Sequence, residues 1–515
     1  MAAFGVHFGT CSACLAVYKD GKTDVVANDL GDRVTPCVVA FTEHEVTVGA
    51  AAKQGIIRNA SNTVSQVKRV LGRNFDDPVS QAYISSCPVK ILKQDTTPVF
   101  EVDCQGRKQQ IKPSKIAEII YRKMLETAQS HGGSGIQDAV LAVPGDFTAE
   151  QRNAVSEAAT KAGFNVLRVI NECSAAALAY DLGQVDNSEE YNVLVYRLGG
   201  TSHEATVLQI QNGMYRILAS CNDHSFGADH FTEILQKHLA SEFQRMYRSD
   251  PLENKRAAAK LLLSAEVCKH TLSNLTNAQC AVDSLHDGID FHCPVSRARF
   301  ESLCSTILPQ CTQLIQSALT EAVCSKQDIM RVVLCGGGAR MPLVQRVISD
   351  FFPASEQLTS VSGDEVIAIG AAKEAAILVG KEDSQLLEME NQTSVQCLSK
   401  AVAIRVNGEK EDNSNRLQVI FPIGSLIPSR QQHTATLTST QTSFVLEVYE
   451  AGDTDSLGTA QKLGKIVMRD LPAGAVIKTN FHLKREGDLH ITSHDVTSGH
   501  QESISIGASS SSDQS

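Results

Sequence analysis

The sequence lacks several features that would assign it to a familiar class of protein. No stretch approaches the roughly 20 apolar residues of a membrane-spanning helix. The first residues contain no basic segment ahead of an apolar run, so we expect no secretory signal. Basic residues are not in excess either, because the formal net charge is −11. That charge argues against a main body that binds nucleic acid, although it is compatible with a local basic patch.

A disulfide framework is also missing. The 15 cysteines are scattered without a pairing pattern, which predicts reduced thiols in a cytosolic protein. The pair Cys11 and Cys14 has C-x-x-C spacing, but we expect it on a strand, where residues three apart face opposite sides. The sequence therefore argues against a redox or metal site at this pair.

A Walker P-loop is absent as well. Residues 21–23 read Gly-Lys-Thr and end like such a loop, but Ala16 occupies the place of its first glycine. The dipeptide formed by Asp20 and Gly21 is more typical of a hairpin turn. A nucleotide site of the P-loop kind is therefore excluded.

The chain divides into regions of different composition. With 515 residues and 42% hydrophobic content, it predicts two or more domains with substantial cores. Residues 1–383 alternate strand and helix signals, which is typical of an α/β domain. Residues 384–393 are acidic and polar and predict a linker. Residues 394–507 change to a period of two and predict a β-sandwich, and the serine-rich residues 508–515 predict a disordered tail.

Several elements have clear boundary signals. Thr148 and Gln151 form a capping box, and Gly163 is expected to end the same helix. Further helices are predicted over residues 172–182, over residues 252–275 and from Pro342 onward. Short strands of the sandwich are predicted over residues 417–421, 434–437, 444–449, 466–468 and 489–491.

One motif occurs twice: an apolar strand that runs into a glycine turn, at residues 4–11 and again at residues 193–202. Such a turn exposes backbone N–H groups in a concave nest that suits a phosphate. Two of them predict one nucleotide held from two lobes. A single glycine turn is more often only a tight connection. Support comes from a third glycine run, at residues 336–338 ahead of a helix, and from a predicted helix face that carries Glu266, Lys269 and Ser273.

Carboxylates are missing from the places just before the two turns. A hydrated Mg²⁺ would be expected to require hard oxygen ligands there. The sequence has His7 before the first turn and Arg197 before the second. It therefore predicts that Mg²⁺ is held poorly.

Taken together, these residues resemble the seventy-kilodalton heat-shock chaperone family from residue 3 to about residue 507. The resemblance is carried by residues 61–73, 143–152, 170–177, 296–301, 336–342 and 364–372. It implies an actin-like, two-lobed α/β ATPase domain with a duplicated fold, followed by an all-β sandwich that in the family holds extended peptides. The helical lid that normally follows the sandwich does not fit into residues 508–515, so we expect no lid.

The resemblance also implies an ATP site. The residues expected around its phosphates are Gly9, Thr10, Cys11, Arg197, Gly199, Gly200, Thr201 and Ser202, and Lys68 stands where the family has its catalytic lysine. The residues expected around the adenosine are Glu266, Lys269, Ser273, Gly337, Gly338, Arg340 and Asp364. Pro144 and Glu172 would belong to the region that signals from the phosphate site to the surface.

The departures from the family pattern leave two alternatives open. Where family members have aspartates beside the phosphates, this chain has His7, Arg197 and Glu204. Arg197 either neutralises the phosphates directly or points to solvent at a decayed site. Lys68 either contacts a phosphate or is a surface lysine beside Arg69. Because hydrolysis needs a positioned water and charge stabilisation, we expect ATP binding with weak or absent intrinsic ATPase activity and little dependence on Mg²⁺.

A lidless chain with an altered phosphate site is similar to the ribosome-associated branch of the family. This resemblance implies a heterodimer with a zuotin-type J-domain protein, contact with the ribosome through that partner, and assistance to nascent polypeptides together with a conventional member of the family. We expect no direct DNA binding and no membrane association. The alternatives are an autonomous ATP-hydrolysing, peptide-binding chaperone and a scaffold protein that needs no nucleotide.

Overall fold

The structure is a computed structural model of the chain. It describes residues 2–19, 21–132, 136–184, 190–211, 214–385, 398, 400–407, 417–425, 429–438, 441–451, 460–472, 474–484 and 487–507. The chain forms two units, Met1–Gln385 and Leu386–Ser515. Most of the predicted linker and all of the predicted tail lie outside the described residues, so the domain boundaries stay predictions. In the described part of the chain, no helix is both long enough and apolar enough to cross a membrane.

Strands and helices alternate along the first unit, as predicted. Its strands are β1 (Ala2–Phe8), β2 (Ser12–Lys19), β3 (Lys22–Val25), β4 (Val34–Pro36), β5 (Val38–Phe41), β6 (Val46–Val48), β7 (Thr63–Ser65), β8 (Lys90–Gln94), β9 (Thr97–Cys104), β10 (Arg107–Ile111), β11 (Asp138–Val143), β12 (Asn165–Asn171), β13 (Tyr191–Leu198), β14 (His203–Gln211), β15 (Met214–Asp223), β16 (Asn277–His286), β17 (Ile289–Ser296), β18 (Ile329–Cys335) and β19 (Glu356–Leu358). Its α-helices are α1 (Ala50–Gly55), α2 (Pro78–Ser86), α3 (Pro113–Gly132), α4 (Ala149–Ala162), α5 (Glu172–Ala179), α6 (Ala228–Tyr247), α7 (Lys255–Asn274), α8 (Arg297–Cys304), α9 (Pro309–Glu321), α10 (Pro342–Phe351) and α11 (Val366–Gln385). Short 3-10 helices cover Ala60–Asn62, Val67–Arg69, Pro251–Glu253, Lys326–Asp328 and Gly337–Arg340.

Two sheets of the first unit repeat one topology. The first has the order β12-β11-β1-β2-β3, and the second has the order β15-β14-β13-β18-β19. In each sheet the central strand, β1 or β13, is antiparallel to the strand that follows it in the chain. Its other neighbour, β11 or β18, is parallel to it. We call the halves built on these sheets the first lobe and the second lobe. The duplicated, actin-like α/β fold that the resemblance implies is therefore present.

Alternating side chains of the central strands explain how each lobe is packed. Phe4, Val6 and Phe8 of β1 lie in the core of the first lobe. Tyr196 and Leu198 of β13 lie in the core of the second lobe. Burying one such side chain contributes about 1.5–3 kcal/mol. Because successive residues of a strand face opposite sides, His7 and Arg197 must lie on the faces turned away from these cores.

Helices α5 and α11 pack against those opposite faces. A Cβ added to Gly5 of β1 would lie 2.1 Å from the backbone nitrogen of Ala372 in α11. One added to Gly370 of α11 would lie 1.7 Å from the carbonyl oxygen of Ala175 in α5. Only glycine allows backbones to approach this closely. Helix α11 therefore touches β1 and α5 backbone to backbone.

The helix predictions are confirmed with two corrections. Helix α4 has the predicted capping box at Thr148, and Gly163 follows it with φ 112°. Helix α10 begins at Pro342 as predicted, whereas α7 begins at Lys255 and not at Leu252, because Pro251–Glu253 forms a separate 3-10 helix. Helix α5 ends at Ala179 and not at Leu182, because Asp181 adopts a left-handed conformation with φ 54°, which ends the regular helix.

The second unit is built from two antiparallel sheets. Its strands are β20 (Ala401–Asn407), β21 (Gln418–Phe421), β22 (Ser429–Thr436), β23 (Phe444–Ala451), β24 (Gln461–Met468), β25 (Val476–Leu483), β26 (Leu489–Asp495) and β27 (Gln501–Ile506). The sheets have the orders β21-β20-β23-β24 and β22-β25-β26-β27. Apolar side chains from both sheets, among them Phe444, Met468 and Phe481, form a shared core, which confirms the β-sandwich. Among the described residues after Gln385 there are strands and no helix.

Candidate functional site

A cavity of about 710 Å³ lies in the first unit and is lined by both lobes. Every residue that the sequence predicted for the nucleotide site lines it: Gly9, Thr10, Cys11, Lys68, Arg197, Gly199, Gly200, Thr201, Ser202, Glu266, Lys269, Ser273, Gly337, Gly338, Arg340 and Asp364. Pro144 and Glu172 line it too. The structure thus brings the predicted residues together, while their roles in binding stay predictions.

The two glycine turns have the same construction. The N–H of Gly9 donates to the carbonyl of Ser12 at 3.0 Å, and the N–H of Gly199 donates to the carbonyl of Ser202 at 2.9 Å. The turns also contact each other across the cavity. A Cβ added to Gly200 would lie 2.3 Å from the Cys11 sulfur, so glycine is required there by the opposite lobe. Cys11 thus lies in the turn and not on the strand where the sequence analysis placed it.

Arg197 is buried and not exposed to solvent, which excludes the alternative of a solvated arginine. Its Nε–H donates to Oε2 of Glu204 at 3.3 Å. The same Nε lies 3.0 Å from Oε2 of Glu172, close enough for an ion pair, although its hydrogen is directed to Glu204. Its two Nη groups lie 3.4 and 3.3 Å from the hydroxyl of Ser202. The guanidinium therefore lies directly against the second glycine turn.

Lys68 is buried as well, which excludes the alternative of a surface lysine. It belongs to the 3-10 helix Val67–Arg69, and its side chain is only 7% exposed. Its Nζ donates to Oε1 of Glu172 at 2.9 Å. His7 Nε2 lies 3.3 Å from the same oxygen. Glu172 is the first residue of α5. Its carboxylate contacts both His7, which precedes the first turn, and Arg197, which precedes the second.

The protonation of this cluster follows from burial and from its own charges. Burial alone would raise the pKa of Glu172, but the positive charges of Lys68 and Arg197 hold it well below its usual range. Burial would lower the pKa of Arg197, but Glu172 and Glu204 raise it. Burial lowers the pKa of His7, so His7 is neutral near pH 7. The cluster therefore places two basic side chains, Lys68 and Arg197, against two acidic side chains, Glu172 and Glu204. Burial raises the pKa of Glu204.

These groups do not fit a divalent cation. Mg²⁺ requires free oxygen ligands in octahedral geometry. Both carboxylates of the cluster are engaged by Arg197, whose charge is permanent. Oε1 of Glu204 also accepts hydrogen bonds from Thr206 and Ser220, at 3.1 and 3.3 Å. An arginine thus occupies the position in which a metal ion would need carboxylate oxygens.

The backbone of the turns fits an anion better. Residues 9–12 and 199–202 bring two glycine nests to one cavity, and Arg197 and Lys68 place positive charge beside them. Nests of successive N–H groups bind anions, and adjacent cations strengthen that binding. The arrangement can hold a phosphate group without a metal ion.

One carboxylate beside the second turn, that of Asp229, was not predicted from the sequence. Asp229 follows the first residue of α6, and its N–H donates to the carbonyl of Gly200 at 2.8 Å. Its side chain accepts a hydrogen bond from Gln66 of the first lobe at 3.1 Å. Burial raises the pKa of Asp229, Lys269 opposes the shift, and Glu266 adds to it. Only its place one residue into a helix that follows a glycine, Gly227, could have indicated it.

The predicted helix face also lines the cavity, next to Asp229. Glu266 and Lys269 of α7 line the cavity together with Ser273. Lys269 is buried, and its Nζ donates to the hydroxyl of Thr232 at 2.7 Å. Glu266 forms an ion pair with Lys53 of α1 at 2.8 Å, which joins the second lobe to the first. Lys53 was not predicted, because α1 has no charge pattern that points to a site.

The third glycine run, at residues 336–338, also lines the cavity. A Cβ on Gly338 would lie 2.5 Å from Cγ of Leu198, the residue next to Arg197. Arg340 donates to Asp364 at 2.8 Å at the edge of the cavity. The run at residues 336–338 therefore packs directly on the strand that leads into the second turn. A Cβ on Gly337 would meet no atom within 4 Å, so the run leaves open space for a ligand beside the backbone at that residue.

Comparisons with known proteins agree with this architecture. The chain matches the family model described as Hsp70 protein over residues 3–515. Heat shock 70 kDa protein 14 of Bos taurus is 45% identical over 510 residues, which cover 98% of this chain and 99% of that protein. Heat shock 70 kDa protein 14 of Homo sapiens is 46% identical over 510 residues, and heat shock 70 kDa protein 14-A of Xenopus laevis is 46% identical over 511 residues, with the same coverage. With its duplicated lobes, its central cavity and its β-sandwich, the chain belongs to the Hsp70 family of chaperones.

Proposed function

We propose that this chain is an atypical Hsp70 subunit that binds ATP between its lobes, hydrolyses it weakly or not at all, and pairs with a J-domain protein at the ribosome to assist nascent polypeptides. The observation that carries the nucleotide part is Arg197, which lies against the second glycine turn and forms ion pairs with Glu172 and Glu204. A resident cation at this position replaces the charge that a metal ion would bring.

The roles of the chain's residues follow from their positions. The two glycine turns would bind the phosphates through backbone N–H groups, and Lys68 and Arg197 would neutralise part of the phosphate charge. Glu266, Lys269, Ser273 and the glycine run would hold the adenosine. Mg²⁺ is assigned no step, because Arg197 engages Glu172 and Glu204, and Asp229 alone is a single carboxylate beside the turns.

Weak hydrolysis follows from the same cluster. A general base should have a pKa near the working pH, but the cations beside Glu172 hold its pKa far below that. Glu172 therefore accepts a proton from water poorly. Lys68, in turn, has a carboxylate within 2.9 Å, so its charge is partly used before any transition state forms.

ATP titrations of the purified chain in EDTA and in Mg²⁺ test the nucleotide part. We expect dissociation constants that agree within about threefold, because Arg197 supplies the charge in both conditions. A gain of about tenfold or more in Mg²⁺, together with steady turnover, would contradict the proposal. Absence of thermal stabilisation by ATP would favour the nucleotide-independent scaffold instead.

A variant at the first turn provides a matched test. His7→Asp adds a carboxylate at the place equivalent to Arg197 without removing the resident cation. We expect weaker ATP binding in EDTA, because the new charge repels phosphate, and partial recovery in Mg²⁺, which the carboxylate can help to bind. An unchanged response to Mg²⁺ would show that the places before the turns do not control metal use.

The J-domain and ribosome parts depend on the resemblance to the ribosome-associated branch. Native mass spectrometry of the chain purified from its own cells should reveal one J-domain protein and one retained nucleotide per copy. Co-sedimentation with ribosomes should be lost when that partner is depleted, because a chain with a net charge of −11 leaves most of the ribosome affinity to the partner, and a few cations on one face add only weak, salt-sensitive binding. A chain without a J-domain partner that hydrolyses ATP rapidly would instead be an autonomous chaperone.

A further inference from the structure

The outer face of one sheet in the second unit differs in charge from the rest of the chain. In the sheet β22-β25-β26-β27, inward side chains such as Ile477, Phe481 and Ile491 pack in the core of the sandwich. The alternate side chains face outward, and three of them are cations: Arg430, Lys478 and Lys484, the last directly after β25. None of the described outward residues within the four strands is an aspartate or glutamate; Asp488, whose carbonyl accepts from the N–H of Lys484 at 2.8 Å, lies opposite Lys484 just before β26. We call this outer surface the basic face.

Strand register places the basic side chains next to one another. Arg430 of β22 pairs with His482 of β25, and His482 pairs with His490 of β26. Lys478 of β25 pairs with His494 of β26 in the same way. Side chains on neighbouring strands are about 4.8 Å apart, so each row forms a continuous line across the sheet.

Within the four strands, no outward carboxylate of the described residues offsets the charges of the basic face. No carboxylate of the described residues lies within 4.0 Å of Arg430, Lys478 or Lys484. The pKa of His482 is lowered by its partial removal from water and by the positive charges of Arg430 and Lys484, so the local potential at this position is positive. The chain as a whole has a net charge of −11, which makes the concentration of cations on one face a local feature.

The remaining outward side chains indicate the chemistry of the partner. They are hydroxyl and amide groups, joined across strands by bonds such as Gln432 to Asn480 at 2.9 Å and His490 to Ser505 at 2.7 Å. Val476 at one end is the exception among the described residues of the four strands. A folded protein partner would need an apolar centre on this face, which is missing. Interfaces with nucleic acid are instead polar and positively charged.

We propose that the basic face binds single-stranded RNA. An open antiparallel sheet can receive an extended strand along its surface, with cations on the phosphates and imidazole rings stacked on bases. Hydroxyl and amide groups can bond to the 2′-hydroxyl, which favours RNA over DNA. This binding is independent of the nucleotide cavity, and its failure would leave the proposed nucleotide function unaffected.

Fluorescence anisotropy of the full chain with a labelled single-stranded RNA of mixed sequence tests the proposal. We expect binding that weakens with salt, with a slope of log K against log [salt] of about −2, since three phosphate contacts contribute about −0.7 each. The variant Arg430→Ala/Lys478→Ala/Lys484→Ala should lose at least about tenfold in affinity at low salt. Its melting temperature should change little, because Arg430 and Lys484 are exposed and Lys478 is half-buried on the outer face.

A matched variant in the other sheet controls for net charge. Lys400→Ala/Lys462→Ala/Lys465→Ala removes the same number of charges from β24 and the start of β20, where Lys400 and Lys462 already pair with Glu450 and Glu447. It should bind RNA as the unaltered chain does. Equal loss in both variants, no RNA binding at 50 mM salt, equal affinity for DNA of the same sequence, or tighter binding of an acidic peptide than of RNA would each overturn the proposal.

Discussion

The two lobes have the same backbone plan and different electrostatics. Each has a central strand that ends in a four-residue turn closed by the same hydrogen bond. Two residues before the turn, the first lobe has neutral His7 and the second lobe has charged Arg197. The comparison teaches that the shape of a phosphate cradle and its charge are set by different residues. Both lobes have the turn, but only the second lobe has a charged residue, Arg197, two positions before it.

Removing that cation should have the largest effect. Arg197→Met leaves Glu172 and Glu204 buried without their shared partner, which should lower the free energy of unfolding of the first unit by about 3–5 kcal/mol. His7→Leu at the equivalent place should cost about 1 kcal/mol or less, because His7 is neutral. Hydrogen exchange of β1 and β13 peptides in increasing urea gives both values. Equal effects would show that the lobes are electrostatically equivalent after all.

The two turns also differ in the atoms that lie against their glycines. Gly200→Ala should weaken ATP binding at least about tenfold, because the new Cβ meets the Cys11 sulfur at 2.3 Å. Adding Cys11→Ala removes that sulfur and should restore most of the affinity. Gly9→Ala meets the backbone oxygen of Ser12 at 2.4 Å, so Cys11→Ala should not rescue it. Calorimetric titration with ATP distinguishes the two cases, and rescue of both variants would contradict the assignment.

Asp229, beside the second turn, should make ATP binding depend on pH. Burial raises the pKa of Asp229, so lowering the pH from 7 protonates Asp229 earlier than an exposed aspartate and removes a negative charge beside Gly200. Affinity for ATP should therefore increase as the pH falls through the raised pKa. Asp229→Asn should be independent of this step. The difference in log Kd between the two proteins across pH is the measurement, because it cancels the titration of ATP itself; a constant difference would refute the role of Asp229.

The smallest effect is expected where the lobes are joined at the mouth of the cavity. The Lys53 to Glu266 ion pair is about one-third exposed on each side, and such pairs contribute about 0–1 kcal/mol. Lys53→Ala should accelerate release of a fluorescent ATP analogue by at most about fivefold, and high salt should reduce the difference. Lys90→Ala, which breaks an exposed pair within the first lobe, is the control. Acceleration by both variants would argue against a specific role for the pair across the cavity.

Much of the fold and the site could be predicted from the sequence, and the gaps have physical causes. The capping box at Thr148 and the proline at position 342 act locally, so they fix helix ends without tertiary information. Strand β25 was missed because the buried Thr479 interrupts its inward apolar series between Ile477 and Phe481. The contacts of Glu172 with Lys68 and Arg197 could not be predicted, since they join segments that are distant in sequence.

The contact of α11 with its neighbours has a mechanical consequence. At Gly5 and Gly370 the helix meets β1 and α5 through backbone atoms, so no side chain is present to change rotamer and absorb a displacement. Strand β1 carries His7, and α5 begins at Glu172. We therefore expect a displacement of the charged cluster to move α11 as well, because these backbone contacts cannot yield by a change of rotamer. His7 and Glu172 in the wall of the cavity are thus coupled through backbone contacts to the helix that ends at Gln385.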